Sequence, residues 1–307
     1  MESRFLVVGE ALTDSVSHDG TRSETPGGSP LNVAVGIARL GHQVILAARV
    51  GKDSRGMEIA AHAMDSGVSL MEDFSGLSRT SSATATIAPD GSASYDFDLL
   101  WDFTPDMVHS GDSDHVHTGS IGATLEPGAT GVVELLRREK AKGSSISYDP
   151  NVRPSIMGQP DEVLDRVEEL VGLSDIVKAS DEDIEWLYPG KALQDAVSHW
   201  KSLGPQLVVV TQGANGVIAW LGSIEVSAPT QATHVHDTIG AGDSFMAGLL
   251  VALSEHDALG SHKNRLAELT EAELAGAIDF ALSCAAITVS RAGANPPRRA
   301  ELAAGSG

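Results

Sequence analysis

The segment Asp237-Thr238-Ile239-Gly240-Ala241-Gly242-Asp243-Ser244-Phe245 runs into an apolar helical stretch from Met246 to Leu253, so three small residues stand where a helix begins. The N–H groups of a first helical turn lack carbonyl partners, and the positive end of the helix dipole lies there. Gly240, Ala241 and Gly242 can therefore approach a phosphate without side-chain obstruction. A carboxylate in the same turn repels a resting phosphate, so Asp243 makes chemical sense as the group that takes a proton from an attacking hydroxyl. Carboxylate and phosphate cradle together suit phosphoryl transfer. The competing reading is a helix cap after a Gly-rich turn. No G-x-x-x-x-G-K-S/T occurs, and Phe245 stands where a dinucleotide fingerprint has its third glycine.

Two other segments put polar residues at strand ends. Gly27-Gly28-Ser29-Pro30-Leu31-Asn32-Val33-Ala34 sets a Gly-Gly turn before a helix beginning near Pro30, with Asn32 in its first turn. Glycines that allow close approach and a polar side chain at a strand's carboxyl end can bind a small polyol; capping and turn formation are the plainer use. In Asp149-Pro150-Asn151-Val152-Arg153-Pro154, a stiff turn carries Arg153. In an acidic chain it is a candidate for an anionic group, a surface ion pair being the alternative.

His115-Val116-His117 and His234-Val235-His236 each put two imidazoles on one face of a strand, a spacing zinc can use. Neither pair has a cysteine nearby, so zinc is disfavoured. No G-x-S-x-G elbow occurs, and Cys284 lies in an Ala-rich helical stretch that reads as core.

The frame that must hold these residues is legible in the hydrophobic pattern. Residues 4–9 read as a buried strand, 29–40 as a helix, 43–50 as a strand and 54–66 as a helix. The alternation returns with helices over 127–142, 160–172 and 192–202 and strands over 144–149, 175–179 and 207–211. This predicts an α/β fold with a doubly wound, mostly parallel sheet. Residues 81–87 and 92–97 break the rhythm as alternating Thr/Ser/Ala-rich runs joined by Ala88-Pro89-Asp90-Gly91, a hairpin signal. The expected organisation is one domain over 1–307, with a small β-sheet lid from about 11–25 and 80–103. Such a flap is also where two subunits could pair edges as a homodimer.

Composition narrows the partners. Forty-two acidic against 21 basic residues give a net charge of −21, which repels nucleic acid and anionic membranes. A single cysteine cannot form an internal disulfide, and the N-terminal apolar run is too short for a signal peptide or a membrane span. A cytoplasmic location is expected.

In the D-T-x-G-A-G-D-x-F of residues 237–245 and the G-G-x-P-x-N-V-A of residues 27–34, and nearly from end to end, the chain resembles the ribokinase/PfkB family of carbohydrate kinases, and within it the fructokinases. The resemblance implies a ribokinase-like fold and ATP-dependent transfer of the γ-phosphate to a hydroxyl of a small sugar. Fructose is the leading acceptor, with 2-keto-3-deoxygluconate, ribose or a nucleoside behind it; a non-catalytic sugar- or nucleotide-binding protein is the alternative of another class. Asp243 is then the general base, with Gly240, Ala241, Gly242 and Arg153 at the transferring phosphate. Asp14, Gly28, Asn32 and Asn151 would hold the sugar, with His117-Thr118-Gly119-Ser120 at a strand end nearby.

On the nucleotide side the same resemblance points to Lys178, Thr211, Gly213, Gly216, Gly293 and Asn295, and to Asp237 in a monovalent-cation site for K+. Many relatives carry an N-x-x-E motif that organises Mg2+; here Ser180-Asp181-Glu182-Asp183 replaces it and leaves Asp183 as the acidic group. Trp101 and Phe103 are expected to pack a lid onto the body, covering a bound sugar being their other use.

Overall fold

The structure is a computed structural model and describes residues 3–18, 21–87, 93–109 and 113–304. The turn Ala88-Pro89-Asp90-Gly91 lies outside the described residues. Runs such as Phe-Leu-Val-Val at 5–8 and Leu-Val-Val-Val at 207–210 are buried along their whole length. That is the signature of strands covered on both faces by helices.

The chain runs through β1 (Phe5–Val8), β2 (Leu12–His18), β3 (Thr21–Gly27), α1 (Ser29–Arg39), β4 (Val44–Ala47), α2 (Ser54–Asp65), β5 (Ser69–Leu70), β6 (Ser82–Ile87), β7 (Ala93–Asp98) and β8 (His115–Gly119). It continues through α3 (Gly128–Lys142), β9 (Ser145–Asp149), α4 (Pro154–Met157), α5 (Pro160–Leu173), β10 (Ile176–Ser180), α6 (Asp181–Leu187), α7 (Leu193–Leu203) and β11 (Leu207–Thr211). It closes with β12 (Val217–Leu221), β13 (Ile224–Ala228), α8 (Ala241–Glu255), α9 (Glu271–Val289) and α10 (Arg299–Ala304).

The large sheet has the order β13-β12-β11-β10-β9-β8-β1-β4-β5. It is parallel from β5 to β11 and antiparallel only at β12 and β13. From β1 the chain first builds outward through β4 and β5, then crosses to β8 on the other side. The crevice between the carboxyl ends of β1 and β8 is therefore the topological switch point, where open α/β sheets bind ligands.

The second sheet, β3-β2-β6-β7, stands apart from the first. Its register sets Asp14 opposite Ala83 and Ala83 opposite Phe97, so these three side chains share one face. The sheet is fastened to the body where Arg55 of α2 grips Glu24 of β3 through Nε at 3.0 Å and Nη2 at 2.5 Å. At its base, Asp53 caps α2 through Gly56 N–H and also accepts from the N–H and hydroxyl of Thr80, at 2.8 and 2.6 Å.

Trp101 and Phe103 belong to the body. Their rings stack 5.4 Å apart, both are buried, and Trp101 Nε1–H donates to the Gly122 carbonyl at 2.9 Å. Neither is among the residues that line the cleft between the two sheets.

His115 and His117 point into the core as β8 requires. His115 pairs with the hydroxyls of Ser145 and Ser147 at 2.7 and 2.8 Å, and His117 Nδ1 with Ser147 at 2.8 Å. Burial drives His117 down to about 3, assisted by the Lys178 charge, so it stays neutral. His234 and His236 lie in no strand. They sit in the connection between β13 and α8, where His236 N–H donates to the Val289 carbonyl at 2.7 Å. Among the described residues, no three His, Cys, Asp or Glu side chains gather as a metal cluster.

Helix α9 is long and apolar enough to cross a membrane by length and composition. It packs along α8, with Leu274, Ile278, Ala281 and Cys284 buried.

Candidate active site

The switch-point crevice opens into a cleft of about 630 Å³ between the two sheets. That is ample for a small polyol with part of a second ligand. From the body, Gly28 and Asn32 enter with the start of α1, Asn151 and Arg153 with the turn after β9, and Gly240, Gly242 and Asp243 with the start of α8. Asp14, Ala83 and Phe97 face it from the smaller sheet. Eight residues singled out in sequence for the sugar and the transferring phosphate thus line one space; Ala241 does not.

Asp243 is 8% exposed. Its Oδ1 accepts the Ser29 hydroxyl at 2.6 Å and its Oδ2 accepts Asn32 Nδ2–H at 2.8 Å. The carboxylate reaches across to α1 instead of folding back onto its own helix, and the residue at the N-cap position, Gly240, gives no side-chain cap. A capping role for Asp243 is therefore excluded. Ser29 carries no signal of a site residue in the sequence, because the Gly-Gly-Ser-Pro run looks like ordinary turn chemistry.

Backbone geometry at the two glycine motifs leaves no room for a side chain. Gly28 has φ +108, and a Cβ there would lie 2.7 Å from the Glu10 carbonyl oxygen. Gly240 has φ +73, and its Cβ would strike Ala294 at 2.6 Å. The N–H groups of Gly240, Gly242 and Asp243 have no acceptor among the described residues, whereas Ala241 N–H closes a turn onto the Thr238 carbonyl at 3.2 Å. Ala241 is thus spent on the turn, and Asp243 N–H joins the glycine donors.

Lys178 lies directly beneath this turn, since a Cβ on Gly242 would come within 3.0 Å of its Nζ. Its ammonium donates to Asp149 Oδ2 at 2.8 Å with both groups buried. Burial alone would lower its pKa, yet Asp149, Asp183 and Asp243 together hold it above the ordinary value. Burial pushes Asp149 up to about 6, with Lys178 pulling the other way.

Each Asp183 carboxylate oxygen already accepts one backbone N–H. Oδ1 accepts Val152 N–H at 2.7 Å and Oδ2 accepts Ser180 N–H at 2.8 Å, so the carboxylate ties the turn after β9 to the start of α6. Asp237 is similarly held by the N–H groups of Ile239 and Gly293, which keep its carboxyl below the usual range. It joins the loop before α8 to the loop after α9. In that second loop the Asn295 amide oxygen accepts from Arg39 at 2.6 Å. Thr211, Gly213 and Gly216 lie at the end of β11 and in the following turn, along the same carboxyl edge of the sheet but outside the cleft lining.

Two further carboxyls face the cleft. Asp14 is pushed up to about 6 by loss of water, against the pull of Arg153 and with the push of Asp243. Glu10, just beyond β1, is 7% exposed and accepts Gly122 N–H at 2.7 Å. A Glu after a short apolar run carries no sequence signal that separates it from a solvated carboxylate.

Residues 4–301 match the description "pfkB family carbohydrate kinase". A fructokinase of Vibrio alginolyticus is 31% identical over 301 residues, spanning 95% of this chain and 94% of that protein. Among solved structures, a double mutant of Vibrio cholerae O395 fructokinase bound to fructose, ADP and potassium superposes with a TM-score of 0.84 at 28% identity, over 98% of this chain and 97% of that one. A Xylella fastidiosa fructokinase with bound ATP gives 0.86 at 27% identity, over 99% and 98%. The cleft, both glycine motifs and the smaller sheet all fall within the matched span, and the chain belongs to the pfkB family of carbohydrate kinases.

Proposed function

We propose that the protein is an ATP-dependent fructokinase, transferring the γ-phosphate to a hydroxyl of fructose with Asp243 as general base. One observation carries the reading: a nearly buried carboxylate, fixed at both oxygens, stands beside unpaired N–H groups at a helix start in a cleft roofed by a second sheet. Support for fructose as the substrate comes from the curated relatives named fructokinases and from solved fructokinases that hold fructose, ADP or ATP.

Asp14, Gly28, Asn32 and Asn151 bind sugar hydroxyls, and the smaller sheet acts as a lid that excludes water. Asp243 removes the proton of the attacking hydroxyl. The N–H groups of Gly240, Gly242 and Asp243, the buried Lys178 charge and Arg153 offset charge on the phosphate in transfer. ATP extends along Thr211, Gly213 and Gly216, with Gly293 and Asn295 on the adenine side. Magnesium, with Asp183 in its outer shell, would neutralise charge on the ATP phosphates. Asp237, bridging two loops, is the acidic group for a potassium ion. The open edges of β3 and β7 are where two subunits would pair. A reducing cytoplasm suits a chain whose single cysteine, Cys284, is free and buried.

ADP release with ATP, magnesium and potassium tests the reading against fructose, ribose, 2-keto-3-deoxygluconate, tagatose and adenosine. A saturable signal is expected with fructose; silence across the panel while ATP still binds would overturn it in favour of a non-catalytic binding protein. Ser29→Ala tests the positioning of the base. Loss of a hydrogen bond to a charged group is worth roughly 1.5–3 kcal/mol, so kcat should fall about 10- to 100-fold, with the fructose KM little changed.

A further inference from the structure

Glu10 is the cleft carboxyl that the transfer of phosphate leaves without a task. It follows β1 while Ser120 follows β8, so the two flank the switch point itself. Both line the cleft, and the Ser120 hydroxyl bonds to the Glu10 carboxyl.

Burying a carboxyl is costly unless a cation or several donors compensate. Glu10 has the N–H of Gly122, its own backbone N–H and one hydroxyl, and no cation in contact. Arg153 acts on it through space but spends its Nη1 on the carbonyls of Asn151 and Val152. Burial accordingly pushes the Glu10 carboxyl up to about 7, which lets it serve as donor or acceptor near neutrality. A purely structural brace to Gly122 needs one acceptor oxygen, which a glutamine supplies without this cost.

The neighbours are equally poised. Asn151 Nδ2 is buried with no hydrogen-bond partner, aimed from a residue that lines the cleft. Ser120 and Asn151 are both held at positive φ, 55° and 39°, conformations that non-glycine residues adopt at a cost. Strain of this kind persists where the surrounding structure uses it, and two of the three non-glycine residues at positive φ among the described residues border this one pocket. A carboxyl, a hydroxyl and an unpaired amide N–H form a recognition set for groups that both donate and accept, as sugar hydroxyls do.

We propose that Glu10 is a specificity-determining residue for the acceptor, its carboxyl, with Ser120 and Asn151 beside it, binding hydroxyls of the sugar other than the one phosphorylated. The proposal rests on the reading of the cleft as a sugar site. The Glu10 carboxyl then discriminates among sugars of the same size by the presence and configuration of a hydroxyl, the kind of difference a hydrogen-bonding site rejects most strongly.

The test compares wild type and Glu10→Gln on fructose, its 3- and 4-deoxy analogues, and its C3 and C4 epimers. Wild type should lose about 30-fold or more in kcat/KM on the analogue lacking the hydroxyl that Glu10 binds, the scale of a hydrogen bond to an ionisable group. Glu10→Gln should lose a similar factor on fructose, mostly in KM, and little further on that same analogue. Its ATP KM and melting temperature should stay near wild type, because Gln still accepts Gly122 N–H. Unchanged deoxy and epimer penalties in Glu10→Gln would overturn the proposal, as would an equal loss on every sugar. If Glu10→Gln fails to fold, Glu10→Asp, which keeps the acid but draws it back by one methylene, must show the same altered penalty pattern. Wild type inactive on every sugar would instead bring down the sugar reading itself, and the proposal with it.

Discussion

Asp243→Asn is expected to cut kcat about 10²–10⁴-fold while fructose affinity changes only a few-fold, the usual contribution of a general base. The amide is nearly isosteric and keeps an oxygen toward the Ser29 hydroxyl, which lies 2.6 Å away in the structure. Its new NH2 faces the Asn32 amide N–H that now donates to Oδ2 at 2.8 Å, so Asn32 must turn its own oxygen inward. That adjustment is local and leaves α1 and α8 in place. A carboxylate in the first turn of α8 also repels ATP, so ATP should bind the variant as tightly as wild type or more so. Single-turnover ADP release and calorimetry separate the two effects. A kcat within threefold of wild type would remove Asp243 from the chemistry; a parallel loss of ATP binding would mean that the turn had collapsed.

The elements that place this carboxylate were readable because parallel strands covered on both faces are continuous apolar runs, and α1, α2 and α8 begin at Gly, Asp or Ser-rich turns. β12 and β13 were not read, since an edge hairpin after β11 has only weak alternation and no helix between its strands. The glycines of the anion site were legible as a motif, but the use of Ala241 N–H in the turn was not, because hydrogen-bond partners within a turn depend on its exit angle. Ser29 and Asp243 lie 214 residues apart and Glu10 and Gly122 lie 112 apart, and local pattern carries no information about such pairs. The alternation of His234 and His236 suggested a strand, but the sheet ends at β13, and the segment instead lies against the end of α9, where His236 N–H donates to the Val289 carbonyl.

Lys178→Met should have the largest effect on stability. Methionine fills most of the lysine volume but leaves Asp149, fully buried, without its cation. Removing one partner of a buried pair costs about 3–5 kcal/mol, and for a chain of this size the melting temperature should fall on the order of 10 °C at pH 8. The pH dependence follows from Asp149. Its folded-state pKa, about 6, lies above the ordinary 3.8, so the folded protein holds a proton that the unfolded chain has released. Stability contributed by this group is therefore greatest below pH 3.8 and is lost as pH rises through the folded value. Without Lys178 the main downward pull on that value is gone and only the Asn151 N–H remains at Asp149 Oδ1, so the loss extends to higher pH, and the gap to wild type should be clearly smaller at pH 5 than at pH 8. A pH-independent gap would mean that Asp149 is not the group left unpaired. Catalysis reports separately. The Lys178 charge sits under the Gly242 turn, so turnover of the folded variant at pH 5.5 and saturating ATP should remain far below that of wild type at the same pH, even where the stability gap has narrowed. Recovery of turnover along with stability would assign Lys178 to the fold alone and leave phosphate stabilisation to the backbone N–H groups and Arg153.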